Sequence, residues 1–462
     1  MTLLRCQGCG KTLPFGTFRP FQCPNAGKDG GDHVVGRTLD DDARFPEGKP
    51  DNPFVRYRQL TYAYALARSK GMTDEAFVAL VRDLDRRVAE IEGHGFQETP
   101  FGRNDRLSSA VGLAPPGGVW VKDETGNVGG SHKGRHLMGL AILAEVESRL
   151  AGSARGAQEL AIASCGNAAL AAAVVAAAVN RPIDVFIPKD ANPRVVAALE
   201  RLGARTHVCA RTAGRTKGDP CYVAFQAAVR DGKIPFCCQG PDNGLTIEGG
   251  ETLAWEIVGD LVASGVTPDR LFVQVGGGAL ASACIAGFRD AVGLGVPVRM
   301  PRIHAVQTRG GFPLRRAWER VTERLAESSG IDPDGGDQLV AERLREHARR
   351  RALDDVIDYA AHHRSEFMWP WETEPVSVAH GILDDETYDW LSIVRAMVET
   401  GGYPVVVGDA RLLEANALGR DTTKIDADET GTAGLAGLLE LSSRGEVSPA
   451  EKVVVLFTGV RR

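Results

Sequence analysis

The sequence predicts an α/β protein built on parallel sheet with covering helices. Two features predict it: strand-like runs alternate with helical stretches, and glycines cluster where strands give way to helices. The runs are VWVK (119–122), ELAIA (159–163), IDVFIP (183–188), LFVQV (271–275), RIHAV (302–306) and KVVVLF (452–457). Composition fits a globular chain, 43% hydrophobic and 25% charged, and 462 residues allow about three domains. No internal repeat is visible.

The N-terminus, MTLLRCQGCG, lacks the apolar core of a signal peptide. It carries Cys6-x-x-Cys9, and FQCPNAGKDGGDH adds Cys23 and His33, a spacing compatible with a metal site. A second C-x-x-C is broken by Ala26. The nine cysteines are otherwise mostly scattered, which argues against a disulfide framework and for a cytoplasmic protein. Net charge is −6 without a long basic run, so neither nucleic acid nor an anionic membrane is expected as a partner. The run from Ala168 to Val179 is too short to span a bilayer and reads as a buried helix. The charged stretch from Trp318 to Asp358 reads as solvated helices interrupted at GIDPDGG. Trp369 and Trp371 read either as pocket-lining or as packing of an inserted loop.

Four loops that follow strands carry the chemistry, and in an open α/β sheet such loops face one crevice. After VWVK comes DETGNVGGSHKGRH, which sets Lys133 where a glycine-rich loop meets a helix. A lysine partly desolvated in that setting can act as a nucleophilic amine. After ELAIA comes SCGNAAL, where Ser164, Cys165, Gly166, Asn167 and Ala168 bring amide donors to a helix N-terminus. An ordinary helix cap by Ser164 or Asn167 reads equally well. After LFVQV comes GGGALASA, whose glycines let backbone N–H groups approach a phosphate. Its Gly276-x-Gly278-x-x-Ala281 spacing meets the dinucleotide fingerprint, but the next strand-like run leads to Gln307 and not to an acid. Close helix–strand packing is the alternative. After KVVVLF comes TGVRR.

Taken together, the lysine loop, the S-x-G-N loop, the glycine-rich loop and the final Thr-Gly resemble the pyridoxal-phosphate enzymes of fold type II. That family includes tryptophan synthase β-subunits, threonine synthases, threonine dehydratases and cysteine synthases. The resemblance covers about residues 95–462 and includes QETPFGRNDRLS (97–108), IEGGETLAWEI (247–257) and DETGTAGLAGL (428–438). It implies two open twisted α/β lobes with the cofactor in the cleft. Residues 137–240 would form the small lobe, 60–136 and 241–462 the large one, and 1–36 a zinc-ribbon-like segment similar to one preceding some threonine synthases. Cys6, Cys9, Cys23 and His33 would be the zinc ligands.

By the same resemblance Lys133 forms the Schiff base and moves the Cα proton, and His132 lies by the phosphate. Gly276, Gly277, Gly278, Ala279 and Leu280 would hold that phosphate. Asn167 would contact the cofactor's 3′-oxygen and Thr458 its pyridine nitrogen, while Ser164 to Ala168 would bind the substrate carboxylate. A neutral hydroxyl at Thr458 leaves the ring a weaker electron sink, which favours elimination over transamination. The implied activity is a lyase or synthase acting on an amino acid by β- or γ-elimination or replacement. A threonine synthase using O-phosphohomoserine and a threonine or serine dehydratase are alternatives, as is a non-catalytic cofactor-binding regulator. A homodimer is implied. SHKGRH departs from the SFKDRG usual in threonine synthases, and Cys165 replaces the usual hydroxyl residue of the carboxylate loop.

Overall fold

Three sheets organise the chain in the computed structural model, which describes residues 3–40, 42–48, 52–151, 158–210 and 218–462. At the N-terminus β1 (Leu3–Cys6) lies between β2 (Thr12–Leu13) and β3 (Val35–Thr38), antiparallel to both. The remaining strands are β4 (Phe101–Arg103), β5 (Gly118–Asp123), β6 (Leu160–Ala163), β7 (Ile183–Pro188), β8 (Arg205–Cys209) and β9 (Ile234–Pro235), then β10 (Arg270–Gln274), β11 (Arg302–Thr308), β12 (Val405–Val407) and β13 (Lys452–Phe457). The larger sheet has the order β12-β11-β10-β13-β5-β4, and only β4 runs antiparallel to its neighbour. The other, β8-β7-β6-β9, is parallel throughout.

All six strand-like runs of the sequence are strands. Every residue of β6 and β10 is buried, which explains their unbroken apolar character: both faces of a parallel sheet are covered by helices. The alanine-rich helix Asn167–Ala178 is buried over nearly its whole length, as its composition predicts. The charged stretch forms Pro313–Ser329, Asp337–His347 and Arg350–His362, broken over 330–336 as expected. Those helices are not merely solvated, however. Trp318, Val321, Leu325 and Ile357 lie on their inner faces and belong to the core of the larger sheet.

A second core combines the four-stranded sheet with Leu4, Cys6 and Leu13 of the N-terminal sheet. The N-terminal sheet is therefore built into the body of the protein. Arg37 of β3 strengthens the join, with ion pairs to Glu248, Glu251 and Asp290. Among the described residues no helix is long and apolar enough to cross a membrane.

Candidate active site

Lys133 is the first residue of the helix Lys133–Ala151. The loop before it turns on Gly129 and Gly130, with φ of +70° and +64°, a conformation that favours glycine. A Cβ on Gly129 would also stand 3.1 Å from Ala171 Cα. The lysine loop is stitched to the end of β13: Val460 N–H donates to Gly130 O at 2.9 Å, and Ser131 pairs with Gly459. Two residues beyond Lys133, the fully buried Arg135 bonds Glu124, Glu256, Thr99 and Thr252. Lys122 completes that network, donating to Glu256 and to Thr99 O. These ties fix the start of the lysine helix from behind. Lys133 itself is half-buried and makes no salt bridge among the described residues.

Thr458 follows β13 and is buried. Gln274 ends β10, and its side-chain amide donates to Thr458 Oγ1 at 2.5 Å. Beyond Gln274 the glycine loop leads through Gly278, φ +102°, into the helix Ala279–Gly293. The segment after Ile382 packs on this loop. Thr387 Oγ1 donates to Gly276 O at 2.9 Å, and Asp389 N–H donates to Gly277 O at 3.0 Å. A Cβ on Gly276 would collide with Asp384 and with Ile382, so only glycine permits this approach. Burial pushes the Asp384 carboxyl up to about 6 despite the nearby Lys133 charge. Burial also drives Asp389 far above the carboxylate range, with Asp32 adding to the effect.

The S-x-G-N loop reaches the same place. A Cβ on Gly459 would stand 2.7 Å from Asn167 Nδ2, and the Arg462 guanidinium bonds both Asn167 Oδ1 and Gly129 O. Asn167 opens its helix but makes no capping bond, and the N-cap position is Gly166. Cys165 is exposed, while Ser164, Gly166, Asn167 and Ala168 are half-buried. The four loops thus meet around Thr458 and Gly459, next to the start of the Lys133 helix.

Residues 94–459 match the model of the family described as pyridoxal-phosphate dependent enzyme. The chain belongs to that family. A serine dehydratase-like protein of Mus musculus is 28% identical over 295 residues, 62% of this chain and 76% of its own. A threonine synthase of Methanosarcina acetivorans is 25% identical over 364 residues, 78% of this chain and 74% of its own. The crystal structure of a T.th. threonine deaminase shares the fold, with a TM-score of 0.56 at 19% identity over 83% of this chain and 98% of that one. The α/β architecture and the lyase-or-synthase class expected from the sequence agree with this membership.

The residues of this pyridoxal-phosphate enzyme suit the cofactor. The glycine loop lies at the N-terminus of a 15-residue helix, where amide dipoles favour a phosphate. His132 is buried, with Nδ1 3.4 Å from Thr458 O and Nε2 without a hydrogen-bond partner among the described residues. Burial, with the Lys133 charge beside it, holds that imidazole neutral, far below its ordinary pKa. Sequence reasoning missed Asp384, Thr387 and Asp389, which approach the loop from over a hundred residues away. It also missed Gln274, although a polar residue at the end of the apolar run LFVQV was a visible signal. Trp369 and Trp371 pack against the Arg316 guanidinium, 4.2 and 4.5 Å from their ring centres. That geometry is the packing alternative.

At the N-terminus the structure gathers Cys6, Cys9, Cys23 and His33, with one ligand atom from each within 4.8 Å of all the others. Cys9 Sγ lies 3.6 Å from Cys23 Sγ, and Cys6 Sγ 3.4 Å from His33 Nδ1. Ligands at ordinary zinc distances in a tetrahedron stand roughly 3.5–3.8 Å apart, so the donor set fits zinc. His33 Nε2 bonds Asp29 Oδ1 at 2.8 Å, which turns Nδ1 toward the thiols. Asp32, beside His33, accepts from Arg364 and from the Trp390 indole, and Arg364 also bonds Glu386. A cavity of about 450 Å³ has His33, Asp219 and Tyr388 among its lining residues.

Proposed function

We propose that this chain is a pyridoxal-phosphate-dependent lyase or synthase that acts on an amino acid by elimination or replacement at Cβ or Cγ. The meeting of four loops around Thr458 and Gly459, beside Lys133, with Thr458 and the glycine loop joined through Gln274, is the observation that carries this reading. Bound to an amino acid, the cofactor withdraws electrons from Cα. Lys133 anchors the cofactor and takes the Cα proton on Nζ. Gly276 to Leu280 and His132 hold the phosphate, and Asn167 holds the 3′-oxygen. Thr458 offers a neutral hydroxyl to the pyridine nitrogen, and the amides of Ser164 to Ala168 orient the substrate carboxylate.

Within this class, the likeness to a serine dehydratase-like protein supports loss of water and ammonia as the first reading. The cysteine cluster favours the second reading, a threonine synthase with a zinc ribbon over residues 1–36. The lobes, 137–240 against 60–136 with 241–462, parallel the division between the two larger sheets. A cytoplasmic homodimer completes the proposal. Borohydride reduction should fix the cofactor to Lys133. Screening amino acids for release of ammonia, phosphate and keto acid then separates the dehydratase from the synthase. Reduction onto a different lysine would sink the assignment. A bound cofactor with no spectral response to any amino acid would favour a regulatory binding protein.

A further inference from the structure

Asp384 stands where the proposed phosphate would be cradled. A Cβ on Gly276 would collide with Asp384 Oδ2 and one on Gly277 would stand 3.6 Å from it, so the carboxylate packs directly on the loop. A phosphate at this loop carries close to two negative charges above pH 7. A carboxylate packed on the same loop would repel it, whereas a neutral carboxyl can donate to one of its oxygens. Like charges that share a site force one of them to keep a proton.

Burial and the acidic groups facing Asp384 make the neutral form accessible against one opposing cation. Lys133 supplies the positive charge, from the start of its helix. Asp219 and Asp385 add negative charge, and Tyr388, Cys165 and Cys238 lie close enough to sense it. Burial already places the carboxyl at about 6 before any phosphate is considered, and a dianion moves it further upward.

We infer that Asp384 is a cofactor-binding residue that works as a neutral acid, donating its carboxyl O–H to a phosphate oxygen, so that cofactor capture takes up one proton. The inference rests on the assignment of Gly276–Leu280 as the phosphate loop. The proton comes from solvent and resides on Asp384, and no covalent bond is made or broken.

The test uses the full chain, stripped of cofactor, and 4′-deoxypyridoxine 5′-phosphate, which cannot react with Lys133. For the wild type, Kd should rise up to tenfold per pH unit from pH 6.5 to 8.5. Asp384→Asn, whose amide donates without titrating, should flatten the profile and bind about tenfold or more tightly than wild type at pH 8. The other facing groups are common to both proteins, so the difference between the profiles isolates Asp384. Calorimetry of wild type at pH 8 in two buffers of different ionisation heat should count close to one proton taken up, which decides the matter even if the variant fails to fold. Parallel profiles for the two proteins, or a proton count near zero, would overturn the inference while leaving the phosphate loop intact. Failure of the analogue to bind wild type at any pH would overturn both.

Discussion

Gln274 and Thr458 form a hydrogen bond whose direction is fixed by its surroundings. The Gln274 amide nitrogen reaches not only Thr458 Oγ1, at 2.5 Å, but also Gly431 O and Leu456 O, at 3.1 and 3.3 Å. Two carbonyl acceptors hold the amide in that orientation, so Thr458 is the acceptor in the pair. Its own proton is then free to be donated toward the cleft, to a group such as an unprotonated pyridine nitrogen.

Thr458→Val keeps the shape and removes that donor. Cofactor content should stay near wild type, while kcat/KM should fall roughly 10- to 100-fold, the value of one buried hydrogen bond to a reacting system. Thr458→Ser should restore most of it. Steady-state kinetics with cofactor absorbance as the control measures this, and a valine variant with wild-type turnover would show that Thr458 does not face the ring.

The four loops were legible because each directly follows a strand-like run, where backbone geometry makes the role of a short motif local. The six strands read from the sequence are long, and most are deeply buried. By contrast β8 is largely exposed and β12 has three residues, so neither has the apolar length that marks a strand. The site residues that escaped notice depend on tertiary proximity. Thr387 meets Gly276 across 111 residues, and no spacing rule in the chain announces that contact. The cluster of Cys6, Cys9, Cys23 and His33 was legible residue by residue, even with Ala26 where a ribbon would have cysteine.

Metal analysis of protein purified without chelator should find about one zinc per chain, and Cys6→Ser with Cys9→Ser should abolish it. The consequences should extend beyond the N-terminal sheet. Asp32 couples the His33 side of the cluster to Arg364, and Arg364 to Glu386, two residues from Asp384. Chelation is therefore expected to lower the melting temperature and to speed cofactor loss on dialysis. A metal-free wild type with unchanged melting and cofactor retention would identify the cluster as a degenerate ribbon.

Glu256 sits between two cations beneath the lysine helix. Burial pushes its carboxyl up, but the Arg135 and Lys122 charges outweigh that and hold it below its ordinary value. A carboxyl depressed by folding stabilises the protein above the ordinary carboxylate range, and that stability is lost as pH falls through its folded pKa. Glu256→Gln leaves buried cations underpaired and should cost about 3–5 kcal/mol near neutral pH. Urea unfolding at pH 7 and at pH 4 checks both parts: the gap between wild type and variant should narrow in acid. An equal gap at both values would remove Glu256 from the account.

Arg462 reaches Asn167 Oδ1 with its guanidinium and also bonds Gly129 O. With its oxygen engaged, Asn167 must present its NH₂ to any other partner, and a phenolate-type oxygen such as the cofactor's 3′-oxygen is an acceptor that suits it. Arg462 thus sets which way the Asn167 amide points. Arg462→Ala frees the amide to turn its oxygen toward that acceptor, and cofactor affinity should fall about 5- to 30-fold, the equivalent of about 1–2 kcal/mol. Arg462→Lys, able to hold Asn167 but without the planar fork, should fall between. The decisive comparison places Arg462→Ala in an Asn167→Ala background. If Arg462 acts through Asn167, the double variant should bind cofactor no more weakly than Asn167→Ala alone. A full additional loss in that background would show that Arg462 supports the cleft independently, through the backbone of the lysine loop at Gly129.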